Sequence, residues 1–98
     1  LNGRCADNYA TIARTSARNE VVMLLALKRN KEALQQCVNL PDDDAVSHYL
    51  RAICLNRADR LIDAYEELKK AFSMDASLKT VATVDGDVND LLNMDKNK

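Results

Sequence analysis

Apolar residues recur at helical spacing from about Thr15 to Met74, most clearly at Leu61, Ala64, Tyr65, Leu68, Ala71 and Phe72. That is the recurrence of one helix face. The spacing predicts an amphipathic helix whose outer, solvated face carries Asp63, Glu66, Glu67, Lys69 and Lys70. On it, Glu66 and Lys70 form a supportive pair one turn apart, and Asp63 and Glu67 a mildly repulsive one. Upstream, Ala45-Val46, Tyr49-Leu50 and Ala52 to Leu55 are apolar almost all round, the pattern of a helix packed between neighbours. Pro41-Asp42-Asp43-Asp44 supplies a break, N-cap oxygens and negative charge for the positive end of a helix dipole, so a helix is expected to start near Asp43 or Asp44.

The earlier half has the same arrangement. Val21, Val22, Leu24, Leu25 and Leu27 belong to one expected helix, Lys28-Arg29-Asn30 to a polar turn, and Ala33, Leu34, Cys37 and Val38 to the inner face of the next. Two successive helical hairpins are therefore expected. Cys5 to Ala13 reads as a further helix with Tyr9, Ile12 and Ala13 inward and fraying at Asn2-Gly3. After the hairpins, Asp75-Ala76-Ser77 breaks the chain and Leu78 to Val84 is a short apolar segment. Asp85-Gly86-Asp87 then leads into a closing helix, over about 84–94, that carries Val88, Leu91, Leu92 and Met94. The tail from Asp95 to Lys98 is expected to be disordered.

Composition narrows this to an all-α fold. The 98 residues suit one domain, and only 2 Gly and 1 Pro stand against 13 Ala and 13 Leu, too little punctuation for an all-β fold. No apolar run approaches the roughly 20 residues of a membrane-spanning helix, so no membrane insertion is expected. No basic-then-apolar leader opens the chain, and its start at Leu1 is expected of a cut or processed product, which leaves the compartment open. A net charge of −1 gives no electrostatic footprint for nucleic acid, although residues 1–41 sum to +3 and residues 42–98 to −4.

Lys28-Arg29-Asn30-Lys31-Glu32-Ala33-Leu34 aligns with Asp59-Arg60-Leu61-Ile62-Asp63-Ala64-Tyr65 at a period of 31 residues, the signature of stacked supersecondary units. On these residues the chain resembles the tetratricopeptide repeat (TPR) family, whose unit is an antiparallel helix pair. Within Ala45 to Leu78, Ala52, Ala64 and Ala71 match the family's small positions, Leu55 and Leu68 its large ones, and Ala76 stands where proline is preferred. Small residues are needed there because only they let helix axes approach to the lower end of the 8–10 Å packing range. His48, Arg51 and Asp59 depart from the family's tryptophan, leucine and glycine. In the first unit, about 15–40, Val21, Ala33 and Cys37 hold their places, Leu40 replaces a small alanine, and Pro41 shortens the connection. The run from Ser73 to Lys79 also resembles the way many bacterial arrays of this family close. The resemblance implies a short TPR-like solenoid of stacked antiparallel hairpins with terminal capping helices.

Candidate chemistry is sparse. His48 is the only histidine, and it lies six residues from Cys54 on one expected helix, so the two fall on different faces and make no nucleophile–base pair. Cys5, Cys37 and Cys54 lack metal-binding spacing and read as small buried hydrophobes. Asp85 to Asp90 has the oxygen alternation of a calcium loop, but Asp90 stands where glycine is needed and Lys96 where glutamate is needed, so a helix cap is the better reading. A helix-turn-helix reader would need clustered cations, and Asp42 to Asp44 would repel phosphate. No catalytic, metal or cofactor residue is therefore expected.

Surface recognition is left. The resemblance implies a concave groove lined by the first helix of each unit, here by Arg18, Val22 and Leu25, then Tyr49, Ile53, Asn56 and Arg57. This apolar floor with cationic and amide edges suits a short peptide with an apolar anchor and a carboxylate. Residues 5–13 or the closing helix could fill the same groove. The family's clamp for a C-terminal carboxylate is not reproduced, because Val46 and Leu50 stand where cations are needed. The expected function is a non-catalytic module for protein–protein interaction or scaffolding, bound to a protein, a peptide or neighbouring repeats of its own parent chain. The alternative is a purely structural segment of a longer chain. Two units fall short of the usual three, which also admits self-association.

Overall fold

The computed structural model describes residues 3–92, with side chains from residue 15 onward. Its elements are α1 (Gly3–Ala26), α2 (Asn30–Cys37), α3 (Ala45–Arg57), α4 (Leu61–Met74), α5 (Leu78–Val84) and a closing 3-10 turn, Asn89–Leu92. The described residues contain no strand and fold as helices joined by turns. Short turns fold α1 against α2 and α3 against α4, α2 and α3 pack together between the hairpins, and α5 and the closing turn lie against α4.

Where two elements were expected before α2, one helix runs from Gly3 to Ala26. Neither Gly nor Pro interrupts residues 4–26, and Thr15 and Ser16 are exposed, so their hydroxyls do not have to compete for buried backbone groups. The inward positions expected for Tyr9, Ile12 and Ala13, and the placement of Cys5, Met94 and Asp95 to Lys98, lie outside the described residues and side chains. The short apolar segment forms α5, and in place of the closing helix expected over about 84–94 the described residues show a single 3-10 turn after Asp85-Gly86-Asp87.

The two hairpin turns share one hydrogen-bonding pattern. Lys28 and Asp59 hold left-handed conformations, with φ of 62° and 61°. At the first turn the Arg29 amide donates to the Leu24 carbonyl and Lys28 to Leu25; at the second, Arg60 donates to Leu55 and Asp59 to Asn56. This is the Schellman closure, in which a left-handed residue satisfies the last carbonyls of a helix. Ion pairs follow at matching places, Arg29 with Glu32 at 2.8 Å and Arg60 with Asp63 at 2.8 Å, but they are exposed and contribute little. A side chain in the left-handed region is strained, so Asp59→Gly is expected to raise stability by about 0.5 kcal/mol. A lower urea midpoint for this variant would contradict that.

The core collects Val21, Leu24 and Leu25 from α1, Ala33 and Cys37 from α2, Leu50, Ala52, Ile53 and Cys54 from α3, and Ala64, Leu68 and Ala71 from α4. Helix α3 is buried around most of its circumference, as its all-round apolar sequence requires. Helix α4 buries Ala64, Tyr65, Leu68 and Ala71, with Phe72 partly covered. Val38, expected on an inner face, is 68% exposed. Val38 keeps helical dihedrals as the C-cap of α2 and lines an open cleft beside Leu34 and Leu55. Leu27, just past the end of α1, and Leu61, the first residue of α4, are also exposed.

Candidate partner-binding surface

Asp44 starts α3, as the sequence predicts. One carboxylate oxygen accepts from the Val46 amide at 3.1 Å, the other from the Ser47 hydroxyl at 3.1 Å. Arg18 of α1 pairs with this same carboxylate at 3.1 Å, so it ties the first hairpin to the start of the second. His48 is buried, with Nδ1 2.5 Å from Glu67 and Nε2 2.7 Å from the Asp42 carbonyl. Glu67 therefore does not belong to the solvated face; it turns inward from α4 to meet the histidine. Along the rest of that face the nearest pairs are Lys69 with Glu66 and Lys70 with Glu67, one residue closer in sequence than the expected Glu66–Lys70 pair. Arg51 donates to the Cys37 and Leu40 carbonyls and to Asp42. By donating to Asp42, its guanidinium holds that carboxyl below the usual carboxylate range.

Tyr49, Ile53, Asn56 and Arg57 fall on one face of α3, at i, i+4, i+7 and i+8. Residues 85–92 lie across that face. The Tyr49 hydroxyl donates to Asp85 at 2.7 Å. Asn56 donates to the Asp87 carbonyl at 2.6 Å and to the Asp90 carboxylate at 3.1 Å. Arg57 grips the Asp87 carboxylate through Nε and Nη2 at 3.0–3.1 Å, and through Nη1 it reaches the Leu25 carbonyl at 2.8 Å and Asn30 at 3.1 Å. Val88 and Leu91 of the same segment are buried in the core, as is Ile53. Of the α1 residues expected in the groove, Leu25 is buried, Arg18 is paired with Asp44, and Val22 stays half exposed. Tyr49, Ile53, Asn56 and Arg57 thus share one face of α3, and the chain's own acidic segment lies on it.

The sequence placed Asp85 to Asp90 as a helix cap, with the closing helix after it as one candidate to fill the groove. The alternation of acids around Gly86, with apolar residues following at Val88 and Leu91, was the available signal. Asp85 also receives the Asp87 amide at 3.0 Å, which shapes the turn.

Burial, then the hydrogen bond to Asp85, pushes the Tyr49 phenol above its ordinary value of 10.0. Because the fold favours the neutral phenol, its contribution to stability is complete below pH 10 and is lost as pH rises through the higher folded-state value. Tyr49→Phe is expected to cost about 1 kcal/mol near neutral pH. Urea unfolding should show that cost shrinking above pH 10, where the phenol ionises in the unfolded chain while the fold holds it neutral. A cost that stays constant with pH would contradict the assignment.

Cys37 and Cys54 are free and buried, and Cys37 Sγ lies 3.1 Å from the Leu34 carbonyl. The hydrogen bond with Cys37, then burial, pushes the Cys54 thiol up. Both thiols are expected to react slowly with an aromatic disulfide reagent in the native state and quickly in denaturant. Rapid native labelling of Cys54 would contradict the burial of α3.

Two clefts flank the hairpins. One, about 550 Å³, lies between α4 and α5, where Lys69 sits 5.1 Å above the Tyr65 ring. The other, about 630 Å³, runs along α2, α3 and α4, with Leu34, Val38 and Leu55 as its apolar wall. Among the described residues, no buried side-chain nitrogen or oxygen lacks a hydrogen-bond partner, and no group of His, Cys, Asp and Glu is placed to hold a metal ion. No described helix is long and apolar enough to cross a membrane. No family model, no curated protein and no solved structure matches this chain.

Proposed function

We propose that the chain is a non-catalytic, TPR-like helical-repeat module that mediates protein–protein interaction or scaffolding. The observation that carries this reading is the recurrence of one turn, with a left-handed residue at the same position and the same carbonyl closures, at Lys28 and Asp59, in register with the 31-residue sequence repeat. Repeat units of this kind make contacts mainly with their neighbours and leave extended surfaces open to partners. Val22 and Met23 on α1, 50% and 57% exposed, offer apolar contact for a protein partner or a neighbouring repeat.

Capture of partners from the parent organism by the intact chain, compared with a Val22→Glu/Met23→Glu variant, tests this. Specific proteins recovered by the first and lost by the second support it. Identical recovery, or none, favours the second reading, a purely structural segment of a longer chain. That reading draws on a specific observation: Arg18, Tyr49, Asn56 and Arg57 already have partners within the chain.

A further inference from the structure

The first hairpin meets the second where Cys37, the last residue of α2, packs on the α3 face that carries Arg51 and Cys54. Arg51 and Cys54 stand three positions apart, so they share that face. The Arg51 guanidinium donates to the Cys37 carbonyl at 3.0 Å, and the Cys54 thiol donates to Cys37 Sγ. Cys37 in turn donates to the Leu34 carbonyl at 3.1 Å, which leaves its sulfur free to accept. Two thiols are thus joined by a hydrogen bond across the boundary between the hairpins.

The two are not equivalent. Cys54 is wholly enclosed, whereas Cys37 helps to line the open cleft of about 630 Å³ along α2, α3 and α4. The hydrogen bond from Cys54, assisted by the Arg51 charge and outweighing burial, holds the Cys37 thiol below its ordinary value of 9.0, and the same bond pushes Cys54 up. A thiol that ionises readily at a cleft, with a second thiol behind it, is the arrangement of a reversibly oxidised pair. Because Cys37 is only 1% exposed, an oxidant little larger than water reaches it through the cleft while an aromatic disulfide is kept off.

We infer that Cys37 and Cys54 form a redox pair, in which hydrogen peroxide entering the cleft oxidises Cys37 and Cys54 resolves it to a disulfide that staples α2 to α3. The Cys37 thiolate attacks one peroxide oxygen; the S–O bond forms as the O–O bond breaks, and the other oxygen leaves as hydroxide, which takes up the proton that Cys37 released. The Cys54 sulfur then attacks the sulfenic sulfur of Cys37; the S–S bond forms as the S–O bond breaks, and the hydroxide leaves as water with the Cys54 proton. Two thiols and one peroxide give one disulfide and two waters. The disulfide closes a loop over residues 38–53, a length at which the ratio of folded to unfolded chain rises by about 100-fold. A thiol reductant reverses the step. This pair has no part in the interaction-module reading, and neither stands or falls with the other.

The test treats the full wild-type chain and full-chain Cys5→Ser with hydrogen peroxide under native conditions, then maps the peptides. In both, the peptides that contain Cys37 and Cys54 are expected to be linked to each other with no oxygen added at either cysteine, and dithiothreitol is expected to restore both thiols. The oxidised chain is expected to unfold at a higher urea concentration than the reduced one. Thiols that persist at an exposure that oxidises the same chain in urea, oxygen added at Cys37 while Cys54 stays a thiol, a link to Cys5 or between two chains, or an unchanged urea midpoint overturns the inference.

Trapping the sulfenic acid with dimedone separates the two roles. In the Cys5→Ser background, Cys54→Ala is expected to label at Cys37 about tenfold or more faster than Cys37→Ala labels at Cys54, and equal labelling overturns the inference. If either variant loses its helical circular dichroism, the peptide map of the wild-type chain decides alone.

Discussion

Replacing Arg57 with alanine is expected to destabilise the chain by about 2–3 kcal/mol, because one side chain joins four parts of the fold. It closes the Leu25 carbonyl at the end of α1, holds Asn30 at the start of α2, stands on α3, and grips Asp87 of the closing segment. Removing one partner of a buried ion pair costs about 3–5 kcal/mol. The Asp87 side chain is 38% exposed, so water compensates part of that loss and the lower range applies. Arg57→Lys is expected to recover only part of the stability, since an ammonium cannot reproduce the forked contact with Asp87 while also reaching Leu25. Asp87→Asn should cost less than Arg57→Ala, because the guanidinium keeps its contacts with Leu25 and Asn30. Urea unfolding of the three variants checks the order, and equal losses for Asp87→Asn and Arg57→Ala would show that the α1 and α2 contacts contribute nothing.

Leucine in place of Ala64 or Ala52 is expected to cost about 1–3 kcal/mol through overpacking. Both alanines are completely buried, on α4 and α3, the most extensively packed pair of helices. Three added carbons have no space to enter unless the helices move apart, and Leu68 and Cys54, also fully buried, would be displaced with them. For a domain of this size the loss corresponds to a fall of about 5–20 °C in Tm. Thermal unfolding that shifts by less than about 2 °C for both variants would mean that the helices do not need small residues there, and would count against the repeat alignment.

The α3–α4 hairpin was legible because its signals are local. Asp44 caps α3 through contacts with residues two and three positions away, and Ala64, Leu68 and Ala71 face inward because helical periodicity fixes their direction. The repeat of 31 residues was legible for the same reason: each turn is closed by bonds within a few residues of Lys28 or Asp59. Tyr49, Ile53, Asn56 and Arg57 were singled out through the family resemblance, which left a partner and a terminal helix as alternative occupants of that face.

The amino-acid sequence by itself determined an all-helical chain, the hairpin turns, the start of α3 and the inner face of α4, because each depends on backbone geometry and on neighbours within about two helical turns. Tertiary structure decided where the long-range partners fall. Asp85 and Asp87 meet α3 across 36 and 30 residues of chain, and Glu67 leaves an otherwise solvated face to reach His48 across 19. Such pairings depend on the path that α5 takes over α4 and on which side chains the hairpins bring together, and helical spacing carries no record of either. The exposure of Val38 was a tertiary matter too, since it keeps helical dihedrals at the end of α2 and the packed hairpins leave it on an open cleft.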